Sequence, residues 1–414
     1  MTVYSLKTLR TLALHTQRLA NSQPPAPTAD AIYQVVEDIG CVQIDTLQMV
    51  HRSQYLAIWS RLGTYNTHDF DDLIFDPTQR RLFEYWLHAA CIIPLNQYRY
   101  RIPTMQTFGE RNGVQRWLAQ QDHAELMKQV YARIEQEGAL RSSDFDYKGP
   151  KRDSWWDWKP AKRALEILFD QGDLMISNRI KFQRSYDLRE RVLPAWVDTT
   201  APTLEETRCR LLEQSARALG VAAPNQIPNY THMPITPARP IVQELVNEGI
   251  LHEIKGELSN GSTTTLLVHC DNLPVLQQAA DGVITAERTT FLSPFDSLFW
   301  ANKRDQQLWN FRQTLEAYKP APIREWGYFC LPILHKDRLI GRFDPKLERR
   351  AGILRLKALH LEPDIDLTDE MVADISIAMQ DFMRFHKAKE LVIEQSNPPA
   401  FAKRLLQQMT SIEA

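Results

Sequence analysis

The residues best suited to chemistry lie together near the start of the chain, in the run Cys41-Val42-Gln43-Ile44-Asp45-Thr46. Side chains alternate across a strand, so Gln43 and Asp45 share one face while Val42 and Ile44 turn to the other. An amide and an ionisable carboxylate side by side are groups that can take part in catalysis. A half-exposed strand also carries polar residues on its wet face for no catalytic reason. Periodicity alone leaves both readings open.

Positioning such a pair takes a scaffold, and the sequence repeats one three times: an amphipathic helix, a glycine, then a short apolar strand. The first copy has Ile32, Val35, Val36 and Ile39 at helical spacing, then Gly40, then Val42 and Ile44. The second has Leu165, Leu168 and Phe169, then Gly172, Leu174 and Ile176; the third has Ile241, Val242, Leu245 and Val246, then Gly249, Leu251 and Ile254. Each glycine stands where a helix must stop, because a residue without a Cβ takes the left-handed C′ conformation cheaply. Where the first copy offers Gln43 and Asp45, the others offer Met175 and Ser177, or His252 and Ile254.

Helix, tight stop and strand make up the core of a winged helix. Asn260-Gly261 predicts a two-residue hairpin turn for the third wing, and Lys181, Arg184 and Arg189 follow the strand of the second, where a wing could touch a phosphate backbone. Lys159-Pro160 and Thr236-Pro237 put proline at or near helix starts. Residues 67–121 read as further helix, with Leu73, Leu82, Phe83, Trp86 and Leu87 on its apolar face. After about residue 286 come short strands (328–334, 339–343, 352–359) around one helix at 303–318, and a closing helix at 369–386.

The expected fold is therefore α+β: three tandem winged-helix units plus a small C-terminal β-barrel or sheet and a terminal helix. The segments are 1–66, the first winged helix with its polar strand; 67–120, a helical packing segment; 121–200 and 201–285, the second and third winged helices; 286–365, the barrel; and 366–414, the C-terminal helical segment.

Bulk properties narrow the classes of function. A chain of 414 residues, 43% hydrophobic, can bury several cores. Its five cysteines are scattered without a CxxC pair, which predicts neither a disulfide framework nor a zinc clamp. Lys7, Arg10, His15 and Arg18 interrupt the N-terminal stretch, and no run of about 18 apolar residues occurs, so a soluble cytoplasmic protein without a membrane partner is expected. A formal net charge of -2 argues against coating nucleic acid by charge alone. Charge is nonetheless uneven, with thirteen Lys/Arg against six Asp/Glu over 300–357 and five against ten over 361–414, as one anion-facing surface would require.

Several segments resemble one family. Gln43-Ile44-Asp45-Thr46, Arg52-Ser53-Gln54-Tyr55, Ser60-Arg61-Leu62-Gly63 and Glu84-Tyr85-Trp86-Leu87-His88-Ala89-Ala90-Cys91 look like the first half of the YcaQ-type winged-helix DNA glycosylases that unhook interstrand crosslinks. Leu292-Ser293-Pro294-Phe295-Asp296-Ser297-Leu298, Trp300, Arg304, Trp326-Gly327-Tyr328-Phe329-Cys330-Leu331-Pro332 and Gly341-Arg342-Phe343-Asp344-Pro345-Lys346 look like its second half.

The resemblance implies a DNA-binding channel and excision of N7-alkylated guanine, with a Gln-hydrophobic-Asp active site that Gln43-Ile44-Asp45 fits. That version of the motif goes with broad crosslink and monoadduct substrates such as nitrogen mustard damage. N7 alkylation makes guanine a cationic leaving group, so no strong acid is needed; the oxocarbenium-like sugar needs negative charge, from Asp45, and a water held by Gln43. No lysine nucleophile is called for, so a monofunctional glycosylase is expected. The partner would be double-stranded DNA bearing alkylated or crosslinked guanine, bound by a monomer without cofactor or metal.

Lys159, Lys162, Arg163, Lys181, Arg184 and Arg304 are candidate phosphate contacts, and Ser293 and Phe295 sit in a turn that could reach DNA. Trp155-Trp156-Asp157-Trp158 could stack on bases or open a helix, while Glu84 and His88 have helical spacing for metal ligands or for packing. A winged-helix transcription regulator and a damage-binding scaffold are the non-catalytic alternatives.

Overall fold

The computed structural model describes residues 2–21, 26–120, 122–145 and 160–413, drawn into two compact units. The first takes its residues from Met1–Asp69, Trp86–Cys91 and Cys209–Ala414; the second from Phe70–Tyr85 and Ile92–Arg208. Lys159 and the Trp155-Trp156-Asp157-Trp158 run lie outside the described residues.

In the first unit, helix Ala29–Ile39 starts where the Thr28 hydroxyl accepts the Ala31 N–H, and it buries Ile32, Val35, Val36 and Ile39 as their spacing requires. It stops at Gly40, whose φ of +80° suits glycine; a Cβ there would also lie 2.6 Å from the Gln214 amide nitrogen. The strand that follows is only Val42–Gln43, shorter than the alternation suggested. It ends because the Asp45 carboxylate accepts the Leu47 N–H at 2.8 Å, an Asx turn that competes with further sheet pairing. The alternation itself survives, with Val42 and Ile44 buried and Gln43 and Asp45 half-buried.

The third copy of the repeat forms as expected. Helix Ile235–Asn247 leads through Gly249 (φ +72°) into the hairpin Leu251–Glu257 and Thr263–His269. Strand Val3–Tyr4 adds to this hairpin on one side and Val221–Ala222 on the other, giving a four-stranded sheet. The turn differs from the two-residue expectation. Leu258 and Ser262 still pair, and Gly261 (φ +78°) donates to the Leu258 carbonyl, so three residues make the loop with glycine at its left-handed position.

The C-terminal sheet runs in the order Thr289–Phe291, Leu331–His335, Arg338–Glu348, Ile353–Leu361 and Glu390–Ile393. Its last pairing is parallel, and Ser396–Asn397 also pairs in parallel with Ile353–Leu361. Among the described residues it curls into half a barrel, which bears out the expected barrel in part. Helix Asp369–Phe385 packs with Met371, Ile375, Met379, Phe382 and Met383 buried, matching the sequence rhythm. The helix expected over 303–318 is confined to Arg304–Trp309, since Asn310 takes the left-handed conformation (φ +51°) and ends it.

The region 67–121 corrects the helical reading. Helix Thr67–Phe75 gives way to strands Leu82–Trp86 and Ala90–Pro94 before the helical turns Leu95–Arg101, Ile102–Phe108 and Asn112–Leu118. Leu82, Phe83 and Trp86 therefore lie on a strand rather than on one helical face. The adjacent Leu82 and Phe83, which point to opposite faces, are both buried, so the strand is covered on both sides, and its near-continuous apolar run mimicked helical periodicity.

In the second unit, helix Pro160–Asp170 passes through Gly172 (φ +82°) to the hairpin Leu174–Ile180 and Gln183–Leu188, joined at its edge by Leu140–Arg141. Lys181 and Phe182 form the tip with φ of +49° and +68°, the mirror-image turn that matches strand twist but that glycine or asparagine would adopt more cheaply. The Arg179 guanidinium lies 4.3 Å from the Phe182 ring centroid and donates to its carbonyl, holding the turn.

Candidate active site

Gln43 lines a cleft of about 480 Å³ in the first unit, together with His88, His232, Phe295, Trp300 and Gln313. Two residues further along, the Asp45 carboxylate is half-buried. Burial raises its pKa above the usual carboxylate range, and the backbone N–H groups of Leu47 and Thr46 partly offset that. Burial and then the Asp45 charge raise the pKa of the Tyr318 phenol.

One wall of the cleft is an aromatic stack. The His88 ring lies parallel to Trp300, with centroids 4.2 Å apart and an interplanar angle of 7°, and His232 packs on it at 3.8 Å. The His88 Nδ1 lies 3.1 Å from the Tyr230 carbonyl, which makes it the protonated nitrogen of a neutral ring. Burial first, and then His232, bring the His88 pKa down to about 4.

A folded-state pKa below the unfolded value of about 6.5 means that the unfolded chain takes up the proton first. His88 therefore removes stability as pH falls from about 6.5 towards about 4. Its share of the loss between pH 6.5 and 5.5 is expected to be about 1 kcal/mol. Thermal unfolding of wild type and His88→Gln across that window checks this, and equal pH slopes in the two proteins would refute it.

Behind the cleft lies a buried polar network. The Arg61 guanidinium donates to both carboxylate oxygens of Asp296, at 2.7 and 2.9 Å, and both side chains are 0% exposed. Arg61 also donates to the Gln17 carbonyl, and Gln17 reaches Tyr230, whose hydroxyl donates to the Ile39 carbonyl. The network thus ties the end of the helix before Gln43 to the 293–298 turn that brings Phe295 and Trp300 to the cleft. Arg61 was present in a matching motif, yet nothing in its spacing marked it as the anchor of that turn.

The structure revises several expected DNA contacts. Arg304 is buried and donates to the backbone carbonyls of Val221 and Leu219, so it fixes the fold. Arg184 is held by Glu84 at 2.5 Å and Glu166 at 3.0 Å. Burial pushes the Glu84 carboxyl up, but Arg184 and Arg179 outweigh it and hold it below the usual range. Glu84 is thus an ion-pair partner rather than a metal ligand shared with His88. Ser293 is fully buried, donating to the Ser53 hydroxyl and accepting the Phe295 N–H, which makes it the brace of its turn, whereas Phe295 faces the cleft. Lys181 is exposed at its hairpin tip, and Lys162 and Arg163 are half-buried on their helix.

His269, Cys270 and Asp271 bring three potential metal-ligand atoms within 4.8 Å of one another. The Arg217 guanidinium already supplies the cation there, 3.1 Å from Asp271 and 3.2 Å from the His269 Nε2.

Residues 36–385 match the sequence model of the AlkZ-like DNA glycosylase family. Among solved structures, the chain is similar to the DNA glycosylase AlkZ of Streptomyces sahachiroi, with a TM-score of 0.63 at 13% identity over 95% of this chain and 100% of that one. At that identity the likeness concerns the fold.

Proposed function

The chain belongs to the AlkZ-like DNA glycosylase family and is a DNA glycosylase, and we propose that it hydrolyses the N-glycosidic bond of N7-alkylguanine, including guanines that tie two strands together. The observation that carries this reading is the placement of Gln43 on an open, aromatic-walled cleft with the ionisable Asp45 two residues away. Alkylated at N7, guanine leaves as a neutral base without a strong acid. The task left to the protein is to stabilise the cationic sugar and deliver water to it. Asp45 supplies the charge and Gln43 orients the water. This leaving group needs no lysine nucleophile, so the expected product is an abasic site in an uncut strand.

A guanine tied to the opposite strand cannot swing into a closed pocket, as most base-excising enzymes demand of their substrate. A cleft open to solvent accommodates the tether. We read the helix–glycine–strand elements as winged helices that bind double-stranded DNA, with Lys181, exposed in the second unit, as a phosphate contact. Family membership places the chain among enzymes, against the regulator and scaffold alternatives.

Incubation of the pure protein with duplexes carrying N7-methylguanine or a nitrogen mustard crosslink is expected to release free base and unhooked strands. Tight binding without release from either duplex would refute the proposed substrate.

A further inference from the structure

Gln313 lines the same cleft as Gln43, and both ends of its side-chain amide are buried without a hydrogen-bond partner among the described residues. Its backbone is fixed, since the Gln313 N–H donates to the Asp305 carboxylate at 2.8 Å and the same carboxylate accepts the Gln306 N–H at 2.9 Å. A buried amide with an idle donor and an idle acceptor is costly unless something completes it. In contrast, the neighbouring His88 ring is fully engaged, stacked on Trp300 and bonded to Tyr230.

We propose that Gln313 is a specificity-determining residue that reads the Watson–Crick edge of the purine admitted to this cleft. The inference rests on the N7-alkylguanine reading above and names the part of that base the protein recognises. A carboxamide presents a donor and an acceptor side by side, and guanine presents O6 and N1–H side by side, so the two match as a bidentate pair. Alkylation blocks N7 and removes the Hoogsteen acceptor, but it leaves O6 and N1–H available. The cleft volume of about 480 Å³ falls within the range of sites built for small organic ligands, about 300–1,000 Å³. The aromatic wall of His88 and Trp300 supplies a rigid boundary for a flat heterocycle.

The test uses the free bases 7-methylguanine and 7-methyl-2-aminopurine, the second lacking both O6 and N1–H. Calorimetric titration of the wild-type protein is expected to show 7-methylguanine binding about tenfold to a hundredfold more tightly. In Gln313→Leu the two bases should bind equally, and release of N7-methylguanine from duplex DNA should fall by a similar factor while the melting temperature holds. Gln313→Met keeps the volume and loses both the donor and the amide acceptor, so it should erase the preference as well and covers the case in which the leucine variant does not fold.

A preference for 7-methylguanine that persists in a folded Gln313 variant would overturn the inference, as would equal binding of the two bases by wild type. Failure of wild type to release base from DNA would instead overturn the proposed substrate, and the free-base titration would still decide the role of Gln313.

Discussion

Asp45→Asn is expected to slow release of N7-methylguanine from duplex DNA by about a hundredfold to a thousandfold, the loss typical when one preorganised electrostatic group is removed. Asparagine keeps the shape and still accepts the Leu47 N–H that ends the strand, so the local turn survives and only the charge is lost. Duplex affinity should therefore change little, and the effect should fall on the single-turnover rate. Gln43→Ala should cost less, about tenfold to a hundredfold, because a displaced amide can be replaced in part by another water.

The pH profile supplies an independent check on the same residue. Burial raises the Asp45 pKa, and the Leu47 and Thr46 N–H groups offset this only in part. The active, ionised form is thus lost as pH falls through a value above that of an ordinary carboxylate. The wild-type rate should decline along that acid limb while the residual rate of Asp45→Asn stays flat. If the two profiles run parallel, the limb belongs to another group and Asp45 is not the catalytic carboxylate.

How much of this site was legible in the sequence depends on which physics placed each residue. Gln43 and Asp45 were readable because strand alternation is local: Val42 and Ile44 go inside, and their neighbours must go out. The positive-φ glycines at 40, 172 and 249 were readable for the same reason, since each stops its own helix. Leu82–Trp86 misled because an apolar run covered on both faces carries no period that separates strand from helix.

Arg184 and Arg304 misled differently. A basic residue looks alike in sequence whether it meets a phosphate or a buried partner, and Glu84 and the Leu219 carbonyl are distant along the chain. Gln313 gave no signal at all, because an unpaired amide becomes informative only once its surroundings exist.

Arg61→Ala is expected to destabilise the first unit by about 3–5 kcal/mol, because it leaves the Asp296 carboxylate buried and unpaired. Asp296→Leu should cost a comparable amount by stranding the guanidinium. The double variant Arg61→Met/Asp296→Leu removes both charges together, so its loss should fall well below the sum of the two single losses, with a coupling of about 2 kcal/mol or more in denaturant unfolding.

Stability and activity should then separate. The pair does more than neutralise itself: Arg61 also holds Gln17, and through Tyr230 the Ile39 carbonyl one residue before Gly40. Asp296 meanwhile fixes the turn that carries Phe295 and accepts the Leu298 N–H. An apolar replacement can refill the volume but cannot direct either segment. The double variant should therefore stay folded at 25 °C yet release N7-methylguanine more slowly than wild type, and full activity in a stable double variant would show that the pair serves stability alone.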